Sequence, residues 1–184
     1  MSMSCAPTSP SPWLAAVLAI AGVSALAPAH AHQVWMENAG GQARLHFGEF
    51  NDNLRETSPG RLDQFKGVPV LEQQRTDTPA QRVDGQLGKD AFVYATTGTP
   101  DTLFATPTYP VIDRSKRNLP AMYWQPAARW VASLAKPVAP TAALDLVPTG
   151  KPGELKVVYQ GAPLAQGQGA AGCTLGLDAR GRGG

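Results

Sequence analysis

The stretch His32-Gln33-Val34-Trp35-Met36-Glu37-Asn38-Ala39-Gly40-Gly41-Gln42-Ala43-Arg44-Leu45-His46-Phe47-Gly48 decides how the rest of the chain is read. From His32 to Asn38 the side chains alternate loosely, Val34 and Met36 pointing one way, Trp35 and Glu37 the other. Ala43 to Gly48 alternates again, and Ala39-Gly40-Gly41-Gln42 lies between them as a turn. A period of two on either side of a glycine-rich connection is a β-hairpin signature. A hairpin folds its second strand back beside its first. His46 is therefore expected to come near His32, in a register that sequence alone does not set.

Upstream, an uncharged apolar segment runs from Trp13 to about Ala27, followed by Pro28 and Ala29-His30-Ala31. A spanning helix needs about 20 apolar residues, so this segment is too short to cross a bilayer comfortably. It has the length of a signal-peptide core, and Ala29-His30-Ala31 has the small-residue pattern of a cleavage site. The expectation is cleavage after Ala31 and export to the periplasm, without stable membrane insertion afterwards. The usual basic start is missing, since no Lys or Arg occurs in residues 1–31. Cys5 precedes the apolar core, so it is not a lipobox cysteine. Cleavage there makes His32 the first mature residue. Its free α-amine and its imidazole Nδ1 then chelate one metal ion in a single ring.

Downstream of Ala31 lie all 16 Lys and Arg and all 14 Asp and Glu, with a formal net charge of +2. They are interspersed, and no basic run marks a nucleic-acid face. Cys173 is the one cysteine left after cleavage, so no intrachain disulfide is expected. The 17 Pro and 19 Gly favour turns and edge strands over long helices.

The remaining pattern predicts an all-β fold. Ser58 to Phe65 reads as a short helix with Ser58 as N-cap and Pro59 at its first position. Strands are expected over Val68–Glu72, Gln81–Leu87, Ala91–Ala95, Thr102–Ala105, Ala121–Gln125 and Ala128–Leu134. Together with the hairpin, these make an Ig-like β-sandwich over 32–135. Residues 136–143 read as a linker. Leu144–Pro148 and Glu154–Tyr159, with a turn at Gly161-Ala162-Pro163-Leu164, open a second Ig-like module over 144–166. Its few strands are too few to close a sandwich. Residues 167–184 have no alternation and little to bury, so disorder is expected, and a frameshifted end would account for their Gly/Ala/Arg composition.

The residues Ala31-His32-Gln33-Val34-Trp35-Met36-Glu37, Phe47-Gly48-Glu49-Phe50, Asn53-Leu54-Arg55-Glu56 and Ser58-Pro59-Gly60-Arg61-Leu62-Asp63 carry a resemblance. Val157-Val158-Tyr159-Gln160-Gly161-Ala162-Pro163-Leu164 supports it. Over about residues 32–165 the chain resembles a bacterial exported family of unknown function regarded as the periplasmic component of ABC-type nickel/cobalt uptake systems. The resemblance implies nickel or cobalt as cargo, a membrane metal permease as partner, and an Ig-like second module. The chain departs from that family at about Ala165.

His32 is the first candidate metal ligand. Imidazole suits nickel, cobalt, copper and zinc, copper binding most tightly in the usual affinity order. His46 is the second candidate, through the hairpin, and Glu49 adds a carboxylate; Asp52 is a weaker addition. Two histidines and a carboxylate form a recognised ligand set. Arg55 with Glu56, and Arg61 with Asp63, read as solvated ion pairs. Trp35, Trp124 and Trp130 read as core aromatics. No nucleophile elbow, phosphate loop or zinc-protease helix occurs, so no enzyme is expected. The alternative to a metal-binding protein is a non-catalytic Ig-like module that binds protein or glycan without metal. A more distant reading is oxidative copper chemistry at an amino-terminal histidine brace.

Overall fold

A computed structural model describes residues 32–76 and 78–164. The expected signal peptide and the expected disordered tail lie outside the described residues. The described strands, in chain order, are β1 (Gln33–Ala39), β2 (Gln42–Glu49), β3 (Leu54–Arg55), β4 (Leu71–Arg75), β5 (Thr78–Val83), β6 (Gly85–Leu87), β7 (Phe92–Ala95), β8 (Thr102–Ala105), β9 (Ala128–Val131), β10 (Leu144–Pro148), β11 (Leu155–Tyr159) and β12 (Ala162–Pro163). Two short 3-10 turns, Arg61–Gln64 and Ser115–Arg117, complete the regular structure. The fold is all-β and antiparallel throughout. Among the described residues no helix is long and apolar enough to cross a membrane.

Three sheets result. The first runs β1-β2-β7-β6, with β3 also pairing β2; the second runs β5-β4-β8-β9; the third runs β10-β11-β12. The opening hairpin forms as its pattern predicts. Ala39 pairs with Gln42, and the two residues between, Gly40 and Gly41, have φ of 60° and 77°. Positive φ at both central positions is the twist-matched hairpin turn, and glycine adopts it without strain.

The inward faces of the first two sheets meet in one sandwich-like core. Met36, Ala43, Leu45, Phe47, Phe92 and Tyr94 come from the first sheet, and Leu71, Leu103, Ala105 and Ala128 from the second. Tyr94 is buried, and its hydroxyl donates to the Pro69 carbonyl at 2.8 Å. This satisfies a group whose desolvation would otherwise cost stability. Burial also pushes its pKa far above the ordinary phenol value. β6 lies close over this ring, because a Cβ at Gly85 would sit 2.4 Å from it.

Several elements depart from the sequence pattern for local reasons. Pro69 has no N–H to donate, and the strand expected at Val68 begins at Leu71. Ala121–Gln125 forms no strand: flanked by Pro120 and Pro126, it keeps one isolated bridge, Ile112 to Met122. The expected helix after Ser58 is the single 3-10 turn Arg61–Gln64, and Ser58 is not its cap. Asp63 closes this turn by accepting from the Gly60 N–H at 2.6 Å and the Ser58 hydroxyl at 2.7 Å. These bonds hold the Asp63 carboxyl below its usual pKa, so Asp63 caps the turn and is not an ion-pair partner of Arg61. At Gly161-Ala162-Pro163-Leu164, the turn sits at Gln160-Gly161 and β12 follows it.

The third sheet is tied to the second through one ion pair. Arg129 on β9 gives Nη2 to Asp145 Oδ2 at 2.6 Å and Nε to Oδ1 at 3.2 Å, and stacks its guanidinium over Phe104 at 4.7 Å. The connection between the sheets is held as well. Lys136 pairs with Asp101 at 2.9 Å, the Val138 N–H reaches the Pro148 carbonyl at 3.1 Å, and the Thr141 and Ala142 N–H groups donate to Asp145.

Candidate metal centre

His32 immediately precedes β1 and is the first of the described residues. The register pairs Gln33 with Gly48 and Val34 with Phe47, which sets His32 across from Glu49 at the rim of the core-facing side. Its Nδ1 lies 3.6 Å from Glu49 Oε1, and its Nε2 lies 2.5 Å from Glu56 Oε1. The Phe47 ring packs beside the imidazole, with centroids 5.0 Å apart. Arg61 stands over the pair, Nη1 at 3.3 Å from His32 Nε2 and Nε at 3.7 Å from Glu56 Oε1.

Glu56 reaches this position because β3 folds back tightly on β2. The Glu56 N–H donates to the Phe47 carbonyl at 2.8 Å. A Cβ at Gly48 would meet the Leu54 carbonyl oxygen at 2.1 Å, and Gly48 has φ of 149°. Only glycine permits that approach. In sequence Glu56 reads as the neighbour of Arg55; in the fold Arg55 turns away to Glu37 at 2.9 Å.

The two carboxylates approach opposite nitrogens of one ring, and this division of labour has chemical content. Two ligands about 2.0–2.2 Å from one ion lie roughly 3–3.6 Å apart. The spacing from Nδ1 to Glu49 therefore suits joint ligation. With the ring proton on Nε2, that nitrogen would donate to Glu56 and Nδ1 would keep its lone pair for a ligand. Among the described residues no three His, Cys, Asp or Glu side chains converge on one point.

His46 does not join this group. It pairs with Trp35, one position out of phase with His32, so the alternation sends it to the opposite face of the sheet. The partnership expected from the hairpin fails for that reason: the strands come together, but the two histidines have opposite parity. His46 is 2 % exposed and stacks on Trp35, with centroids 5.2 Å apart. Its Nδ1 donates to the Asp90 carbonyl at 3.0 Å, while its buried Nε2 has no hydrogen-bond partner and faces Glu37 Oε2 at 3.5 Å. Asp52 lies in the exposed turn after β2.

Comparison of the chain with protein-family models, with curated proteins and with solved structures gives no match.

The environment of His46 sets a pH dependence. Burial lowers its pKa, helped by the charge of Arg55, and this outweighs the Asp90 carbonyl and the charges of Glu37 and Asp90. Burial opposes ionisation of Glu37 too. The hydrogen bonds from Trp35 and Arg55 and the charges of His46 and Arg55 overcome it and hold that carboxyl below its usual range. The native state thus keeps His46 neutral, while the unfolded chain protonates it below about 6.5. Protons bind the unfolded state preferentially, so stability is full above that pH and falls as pH drops through it. The melting temperature is expected to decline between pH 7 and pH 5, and His46→Phe should flatten that decline. An equal slope in the variant would contradict the assignment.

Proposed function

We propose that the protein is an exported, non-catalytic metal-binding component that serves nickel or cobalt acquisition in the periplasm. His32, as the mature amino terminus, holds the ion through its α-amine and Nδ1, and Glu49 supplies a carboxylate oxygen. The ion is cargo, passed on to a membrane permease. The observation that carries this reading is the arrangement around one imidazole, with Nδ1 facing Glu49 and Nε2 held by Glu56. The cleavage motif immediately before His32 in the sequence supports it further, as does the resemblance described above.

A nitrogen-rich chelate of this kind binds nickel more tightly than cobalt, and copper more tightly than either. Selection among them in the cell follows metal availability as well as affinity. The role asks for affinity and release, not for a nucleophile or a general base.

The direct test is a calorimetric nickel titration of protein whose first residue is His32, beside the same protein with its α-amine acetylated. One site in the first form and none in the second is the expected result, since acetylation removes the amine donor and leaves the imidazole without its chelate ring. Equal binding by both forms, or no binding by the first, would overturn the reading and favour a metal-free interaction module. Glu56→Gln should weaken nickel binding by about 10–100-fold while leaving the site's stoichiometry intact, the usual effect of losing the carboxylate behind a ligating histidine.

A further inference from the structure

The connection from β8 to β9 carries an unusual surface. Ile112 and Met122 form a bridge, each N–H donating to the other's carbonyl at 2.9 and 3.0 Å, and the residues between them make a protruding loop. The 3-10 turn Ser115–Arg117 forms its tip, closed by Asn118 in the left-handed conformation. Lys116 and Arg117 are exposed there, and half-buried Arg114 lays Nη1 3.6 Å from Met122 Sδ; none of the three has an ion-pair partner among the described residues. The one acid of the loop, Asp113, accepts from the Ser115 N–H at 2.8 Å. Flanking the cations, Leu119 and Met122 are exposed, and Tyr123 is 79 % exposed.

The base of this loop is firm. Tyr109 and Trp124 pack edge to face at 5.1 Å, and both lie against Phe47 and Phe65. Phe47 is also the ring that borders His32. The loop and the candidate metal centre thus share one aromatic foundation.

We propose that this loop docks the protein peripherally on an anionic phospholipid surface. Charge complementarity chooses the occupant: the cations meet headgroup phosphates, and Leu119, Met122 and Tyr123 reach the boundary of the acyl chains. Aromatic side chains with a polar tip favour that level of a bilayer, and an apolar body beside basic groups is the usual interfacial pattern.

Cosedimentation with large vesicles tests this, using the full mature chain without metal. Vesicles of phosphatidylglycerol and phosphatidylethanolamine are compared with vesicles of phosphatidylcholine. Binding to the anionic vesicles alone, fading as salt is raised, is the expected result. Each cation near such a surface contributes about a fivefold gain in partitioning, so the charge-reversed pair Lys116→Glu and Arg117→Glu should lower it by at least about 30-fold. Leu119→Ser with Tyr123→Ser should lower it too, with the salt dependence kept. All four side chains are exposed, and circular dichroism confirms that the variants fold. Absence of binding at low salt, equal binding to neutral vesicles, or partitioning unaffected by the charge reversal would overturn the proposal. Because no metal is present, that failure would leave the reading of His32 untouched.

Discussion

Asp145→Ala should destabilise the protein by about 3–5 kcal/mol, the usual result of stripping one partner from a buried ion pair. The Arg129 and Asp145 side chains are 8 % and 4 % exposed. Burial opposes ionisation of Asp145, but the Arg129 hydrogen bond and charge, with the Thr141 and Ala142 N–H groups, hold its carboxyl below the usual range. The same carboxylate accepts from the Leu146 N–H at 2.9 Å. Its removal leaves a desolvated guanidinium and three backbone donors without their acceptor, and each such loss is costly. A double-mutant cycle with Arg129→Met separates the two contributions. Once the cation is gone, the loss of Asp145 should cost markedly less, with a coupling of about 0.5–3 kcal/mol in urea denaturation. Strict additivity would mean that the pair does not hold the third sheet in place. Some of the cost must survive in the double variant, because the backbone donors remain unpaired.

His32→Ala in the correctly processed protein should abolish calorimetric nickel binding. Alanine keeps the α-amine but has no imidazole, so the chelate ring cannot close. Glu49 and a lone amine do not hold a borderline metal against water. The same experiment has a thermal readout. An ion present at about 100 times its dissociation constant stabilises the native state by about 2.7 kcal/mol. Nickel should therefore raise the melting temperature of the wild type and leave that of His32→Ala unmoved. A variant that still responds to nickel would place the site elsewhere in the chain. Glu49→Gln should fall between the two, since it leaves the nitrogen pair intact.

The parts of this fold that were legible in the sequence share one property: they depend on neighbours in the chain. The opening hairpin shows a period of two around its glycines, and β8, β10 and β11 are short apolar-rich runs set off by glycine or proline; they form where those patterns put them. Proline chemistry explains the near misses, where Pro69 delays β4 and Pro120 with Pro126 empties the segment around Tyr123. The candidate site was only half legible. His32 and Glu49 face each other because a hairpin places residues across from one another. Glu56 depends on the close approach at Gly48, and no local pattern betrays it. His46 was misassigned by parity, which follows from the exact register and not from the existence of the hairpin. The clamp between Arg129 and Asp145 was not legible because it depends on two sheets meeting.

β1 is the first strand of its sheet and is paired along one side only, with β2. On the proposed function, an ion bound at His32 would sit at the open end of this strand pair. Parting the Gln33–Gly48 pair there would separate His32 from Glu49 while Val34 stays packed against the core. Opening of that kind costs far less than global unfolding. The dwell time of a bound ion would, on the proposed function, follow how often this end opens, and an acceptor that captures the opened end would govern delivery without needing to outcompete the intact site.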